Sequence, residues 1–160
     1  MKDKKILITG ARGFVGKNLT ATLLQNGYTN LYLFDREDSL ETLDKYCTDC
    51  DFVFHLAGVN RPQSTSEFYE GNTDFSKTLL DTLKAKNNPC PVVVSSSIQA
   101  LLDNDYGKSK KWAKTFSLQM ALTLHTSCVF TACSANGQGQ TTTQLWQHLC
   151  TMLHMVCLYR

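Results

Sequence analysis

A tyrosine and a lysine four positions apart, in Tyr106-Gly-Lys-Ser-Lys110, could share acid–base chemistry. On a helix that spacing puts phenol and ammonium on one face. The cation then lowers the phenol pKa towards working pH, where the phenol can exchange a proton with a substrate oxygen. Upstream, Ser95-Ser96-Ser97 ends an apolar run and offers hydroxyls that could hydrogen-bond a substrate carbonyl. Earlier still, Thr9-Gly10-Ala11-Arg12-Gly13-Phe14-Val15-Gly16 sets three glycines at G-x-x-G-x-x-G spacing. Backbone there must turn tightly and approach a pyrophosphate, whose charge a helix N-terminus favours. Asp35 follows about 20 residues after the glycines, where a carboxylate accepts the ribose 2′-hydroxyl of NAD. Arg36 is next, and a cation there could pair with the 2′-phosphate of NADP. The two residues argue in opposite directions, and either could simply be solvated; the balance leans to NADP(H), with NAD(H) as the alternative.

These groups need a scaffold, and the intervening sequence describes one. Lys5 to Ile8 is a short apolar run ending in the glycine turn, and Phe14 to Gln25 carries Phe14, Val15, Leu19, Leu23 and Leu24 at helical spacing. Gly27 closes that helix, and Leu31 to Phe34 reads as a second buried strand. A short helix over Ser39–Tyr46, a strand over Asp51–Leu56, a long amphipathic helix over Ser66–Lys86 and a strand from Pro91 to Val94 complete the pattern. Continuously apolar strands alternating with helices predict an α/β fold, a Rossmann-like doubly wound parallel sheet with helices on both faces.

The bulk numbers restrict the alternatives. A chain of 160 residues is one domain in size, short for an enzyme with separate cofactor and substrate lobes. Sixteen basic against fourteen acidic residues leave +2, too balanced for a nucleic-acid or membrane-surface binder. The N-terminal stretch lacks the apolar core of a signal peptide, so a cytoplasmic location is expected. Thr115 to Tyr159 is uncharged but crowded with Thr, Gln, Ser and His, which argues against a membrane span. The seven cysteines are read as free thiols, and Cys47-x-x-Cys50 lacks a second ligand pair at metal-binding spacing, so no metal is expected.

The glycine loop, serine strand end and Tyr-x-x-x-Lys pair, in that order, resemble the extended short-chain dehydrogenase/reductase family. More narrowly, ITGARGFVGKNL (Ile8–Leu19), DFVFHLAGVNRP (Asp51–Pro62), SSSIQA (Ser95–Ala100) and DNDYGKSK (Asp103–Lys110) resemble the CapF-type reductases of capsular polysaccharide synthesis, in which such a domain precedes a cupin. The resemblance covers residues 1–111, the expected NAD(P)-binding domain. It implies NADPH-dependent reduction of a 4-keto group on a UDP-linked 6-deoxy-N-acetyl sugar. Tyr106 would protonate the carbonyl oxygen, Lys110 would hold the nicotinamide ribose and keep Tyr106 acidic, and Ser97 would orient the carbonyl. Thr9, Gly10, Arg12, Gly13, Phe14, Val15, Gly16, Asp35, Arg36, Asp51, Leu56, Ala57, Gly58, Tyr106 and Lys110 are the implied cofactor positions, with Asp51 near the adenine. Asn60 and Arg61 fall in the loop after the HLAG strand, as substrate contacts or as ordinary loop polarity. A homodimer is an option the family brings. An epimerase or 4,6-dehydratase of the same family, and a non-catalytic NAD(P)-binding fragment, are the rival readings.

From Tyr106 to Arg160 there is no Asp or Glu, and after Lys111 the family pattern disappears. Gln140 to Leu149 can be encoded by CAA ACT ACA ACA CAG CTG TGG CAA CAT TTG. Shifted back by one base, that string reads Asn-Tyr-Asn-Thr-Ala-Val-Ala-Thr-Phe, close to the family's substrate loop. Codons chosen likewise after Lys111 give Met-Gly-Glu-Asp-Leu-Leu-Phe, the family's missing helix. Loss of one A from a run at Lys110-Lys111 would produce both. Residues 112–160 are therefore expected to be a frameshifted tail, leaving the sheet incomplete and the substrate lobe and cupin absent. Leu118, Met120, Leu122, Leu124, Val129 and Phe130 could still form a fortuitous helix and strand.

Overall fold

The computed structural model describes residues 3–58, 74–97 and 128–133. Within them the chain forms β1 (Ile6–Thr9), α1 (Phe14–Gln25), β2 (Leu31–Phe34), α2 (Leu40–Asp49), β3 (Phe52–His55), α3 (Phe75–Ala85), β4 (Val92–Ser97) and β5 (Cys128–Cys133). The five strands make one sheet in the order β2-β1-β3-β4-β5, every pairing parallel. The strand order reverses between β1 and β3, and a crevice at the carboxyl ends of the strands opens at such a reversal.

The interior strands β1 and β3 are apolar up to their last residues, Thr9 and His55, because both of their faces are covered. Ile6, Ile8, Phe52 and Phe54 turn to one face and bury against Leu19 and Leu23 of α1. Leu7, Val53, Val92 and Val94 turn to the other, against Leu43 of α2 and Leu79, Leu80 and Leu83 of α3. Period-two alternation in the strands and helical spacing in the helices thus meet in two apolar layers, one above and one below the sheet.

The predicted α1 and β2 match the observed spans. Helix α2 runs on past Tyr46 to Asp49, because Cys47 packs into the core as a small hydrophobe. The amino-terminal part of the expected Ser66–Lys86 helix lies outside the described residues, and α3 covers Phe75–Ala85. In the expected tail, Val129 and Phe130 fall in β5, whose backbone pairs with β4 from Val92↔Cys128 to Ser97↔Cys133. Leu118, Met120, Leu122 and Leu124 lie outside the described residues.

The thiol that meets Cys50 is Cys90 rather than Cys47. Their sulfurs are 3.7 Å apart, both buried, at the junction of α2 and β3 with the loop before β4. Asn88 clamps that junction by donating from Nδ2 to the carbonyls of Cys47 (3.0 Å) and Cys50 (2.9 Å) while its Oδ1 accepts the Cys90 N–H (3.0 Å). Burial, with Cys50 alongside, pushes the Cys47 thiol up to about 12 from 9.0. The unfolded chain therefore releases this proton first. The stability conferred by a neutral Cys47 is complete below pH 9.0 and is lost as pH rises towards about 12. At pH 8, iodoacetamide should label Cys47 on the order of a thousandfold more slowly in the native chain than in urea, since the thiolate fraction falls tenfold per unit of pKa. Peptide mass mapping reads this directly, and equal labelling rates in the two conditions would show Cys47 to be open to solvent.

Candidate functional site

Helix α1 starts differently from α2. Ser39 caps α2 and accepts the Thr42 N–H on its hydroxyl at 3.3 Å. Gly13 occupies the same position on α1, where no side chain caps the helix and the first turn holds no acid. The first N–H groups of a 12-residue helix are thus left for a ligand, and the helix dipole favours an anionic one.

The loop before α1 is fitted closely between its neighbours. Gly10 (φ +71°) donates its N–H to the Phe34 carbonyl at 2.9 Å, fastening the turn to the end of β2. A Cβ on Gly10 would lie 2.7 Å from the Ala57 nitrogen and 2.8 Å from its Cα. One on Gly16 would lie 2.3 Å from the Gly10 carbonyl oxygen. Gly10 therefore packs directly on the Leu56-Ala57 backbone, with no room for a side chain between them, while Gly16 lets α1 pack directly on the turn. Leu56 donates its N–H to the Thr9 carbonyl at 3.1 Å, and Ala57 donates more weakly to the Thr9 hydroxyl at 3.4 Å. Gly58 is exposed just beyond.

Asp35 sits at the end of β2 beside this loop. Its Oδ2 accepts the Arg12 N–H and its Oδ1 the Arg36 N–H, both at 2.9 Å. The Asp38 carboxylate accepts the Asp35 N–H at 2.7 Å and closes the turn. The Arg12 guanidinium pairs with Glu37, and both side chains are mostly in water, so the pair is weak and its partners are exchangeable. A groove of about 450 Å³ opens here, lined in part by Arg12, Lys17, Leu24, Leu33, Asp35 and Asp38. Leu24 and Leu33 stay half exposed because β2 is the edge strand and α1 lies over its inner neighbours.

The structure brings Thr9, Gly10, Arg12, Gly13, Phe14, Val15, Gly16, Asp35, Arg36, Leu56, Ala57 and Gly58 to the carboxyl edge of the sheet. Phe14 projects into solvent there, with 68% of its surface exposed. Ser97 ends β4 at the same edge. Asp51 does not join them. It precedes β3 at the amino edge, where its carboxylate accepts the Lys5 N–H at 2.7 Å and its own N–H bonds the Lys5 carbonyl at 2.8 Å. The length of β3, at about 3.3 Å per residue, separates it from the crevice. Asn60, Arg61, Tyr106 and Lys110 lie outside the described residues. Among the described residues no His, Cys, Asp and Glu group could hold a metal, and no helix is long and apolar enough to cross a membrane.

Sequence reasoning missed His55. It is 3% exposed, and its Nδ1 lies 2.8 Å from the Thr9 hydroxyl and its Nε2 2.7 Å from that of Ser76 on α3. The available signal was a histidine ending an otherwise apolar strand, since a buried imidazole requires partners.

A tight glycine turn at the strand reversal, leading into a helix that no side chain caps, suits a dinucleotide pyrophosphate. Residues 6–115 match the family described as NAD dependent epimerase/dehydratase. The chain belongs to that family. A UDP-2-acetamido-2,6-beta-L-arabino-hexul-4-ose reductase of Pseudomonas aeruginosa is 44% identical over 110 residues, covering 69% of this chain and 30% of the relative. The crystal structure of the capsular polysaccharide assembling protein CapF from Staphylococcus aureus superposes with a TM-score of 0.71 at 34% identity, over 87% of this chain and 40% of that one. The Bordetella bronchiseptica enzyme WbmF, solved with NAD+, shares the fold with a TM-score of 0.66 at 21% identity, over 92% of this chain and 58% of its own. The chain thus spans 30% of the length of its reductase relative and 40% of that of CapF.

Proposed function

We propose that this chain is the cofactor-binding part of an NADPH-dependent reductase of a UDP-linked 4-keto-6-deoxy-N-acetyl sugar, serving surface polysaccharide synthesis. The observation that carries the cofactor half is the N-terminus of α1, uncapped by a side chain, beside the tight Gly10 turn at the strand reversal. The substrate half is supported by the likeness to the Pseudomonas reductase, 44% identical over 110 residues.

When bound, the nicotinamide supplies a hydride to the carbonyl carbon. Tyr106 delivers the proton to the carbonyl oxygen, Lys110 keeps that phenol acidic and binds the ribose, and Ser97 orients the carbonyl by a hydrogen bond. Asn60 and Arg61 contact the sugar nucleotide. Arg12 and Arg36 flank Asp35 and take the 2′-phosphate, Arg12 exchanging its exposed partner Glu37 for the stronger doubly charged one. Residues 112–160 are an out-of-frame tail, so the chain binds cofactor but does not turn over.

Fluorescence titration tests the cofactor assignment. Arg12→Ala and Arg36→Ala should each weaken NADPH by about tenfold, the value of one charge-assisted contact, and leave NADH within about threefold. Parallel losses for both cofactors would remove the case for NADPH. NADPH oxidation by the unaltered chain with the UDP-4-keto sugar would refute the out-of-frame tail.

A further inference from the structure

We propose that His55 is a positioning residue that couples the first turn of α3 to the dinucleotide crevice through Thr9. The inference rests on reading that crevice as an NAD(P) site. Thr9 and His55 are register partners on adjacent strands, and both side chains lie on the sheet face that packs against α2 and α3. Thr9 (0%), His55 (3%) and Ser76 (2%) are all buried, in a layer otherwise built from aliphatic, aromatic and thiol groups. The imidazole rests against Phe75 at a centroid distance of 5.7 Å, and Phe75 stacks on Phe34 at the end of β2. Polar side chains in such a place persist only if they are hydrogen-bonded, and His55 lies within hydrogen-bond distance of both Thr9 and Ser76.

The hydrogen-bond count gives the chain a direction. The Thr9 hydroxyl oxygen already accepts the Ala57 N–H, and its proton has no other acceptor among the described residues than His55 Nδ1. Thr9 therefore donates to Nδ1, the neutral ring carries its proton on Nε2, and Nε2–H donates to the Ser76 hydroxyl at 2.7 Å. Ser76 fixes the ring, the ring fixes the Thr9 rotamer, and Thr9 holds the Ala57 N–H. That nitrogen is the group a Cβ on Gly10 would reach at 2.7 Å, so His55 sets the backbone on which the Gly10 turn is seated without touching the ligand.

Glutamine and asparagine separate the two ring nitrogens. In His55→Gln the amide reaches towards Ser76 and loses Thr9, whereas in His55→Asn it stays near Thr9 and loses Ser76. Both should lower the melting temperature of the full chain. His55→Gln should weaken NADPH about tenfold or more, and His55→Asn should recover to within about threefold of the parent, as removing a buried hydrogen-bond partner predicts. Ser76→Ala, a smaller change should the ring variants fail to fold, should weaken NADPH about threefold to fivefold. Nitrogen-15 shifts of the parent chain's histidine rings should show an Nε2-protonated neutral tautomer for His55. Equal NADPH affinities in parent, His55→Gln and Ser76→Ala, or an Nδ1-protonated ring, would sink the relay and leave His55 a packing residue. A parent chain that binds no dinucleotide would overturn the crevice assignment itself, a result distinguishable from unchanged binding in the variants.

Discussion

Gly16→Ala should lower the melting temperature by about 4–8 °C, although alanine is the better helix former by about 1 kcal/mol. The new methyl would sit 2.3 Å from the Gly10 carbonyl oxygen and 2.8 Å from Ala11 Cα, and all of these neighbours are backbone. Only a shift of α1 away from the turn relieves the contact, at a cost of about 3 kcal/mol or more, which outweighs the propensity gain. Gly10→Ala should be as damaging through a different combination, a φ of +71° and a Cβ 2.7 Å from Ala57 N. Gly13→Ala is the internal control. Its φ is −68° and its Cβ would meet only the Gly10 oxygen, at 3.2 Å, so a loss of about 1 kcal/mol is expected. Thermal denaturation followed by circular dichroism ranks the three. A Gly16→Ala chain as stable as the parent would show that α1 does not bear on the turn as described.

Tyr106→Phe should abolish turnover without abolishing binding. The test needs a gene carrying one additional A at the Lys110–Lys111 codons, which under the proposed frame restores the sequence that follows. In that protein the substitution should slow NADPH oxidation by the UDP-4-keto sugar by about 10² to 10⁴, the usual contribution of a positioned acid. NADPH affinity should stay within about threefold, because the phenol serves the reacting oxygen rather than the phosphates. A variant keeping more than about a tenth of the rate would remove Tyr106 from the acid role. Repair that yields no activity even with Tyr106 intact would count against the reading-frame proposal.

Local elements were legible in the sequence because each rests on neighbouring residues. The apolar run of Leu31–Phe34 and the helical spacing of Phe14–Gln25 depend on covalent order, and both appear at the expected residues. What was not legible depends on which strands become neighbours. Cys47 and Cys50 look like a pair in sequence, but α2 and the start of β3 deliver Cys50 to Cys90, 40 positions away. The His55–Ser76 bond joins residues 21 apart across a strand and a helix, and no local pattern announces it. Asp51 was assigned to the cofactor by resemblance, and only strand direction shows that it stands at the wrong end of β3. The glycine loop was readable because its chemistry is local, a turn followed at once by a helix.

The position of β1 bears on how the molecule assembles during translation. Among the described strands the first in chain order is an interior one, with β2 and β3 on either side of it, and both neighbours are complete by His55. Growth then proceeds outward from one edge, β4 onto β3 and β5 onto β4. Parallel pairing makes every addition wait for a crossover, so the template must persist while the next segment is synthesised. The cofactor crevice is built from that earliest unit, before the residues proposed to carry the chemistry have been made.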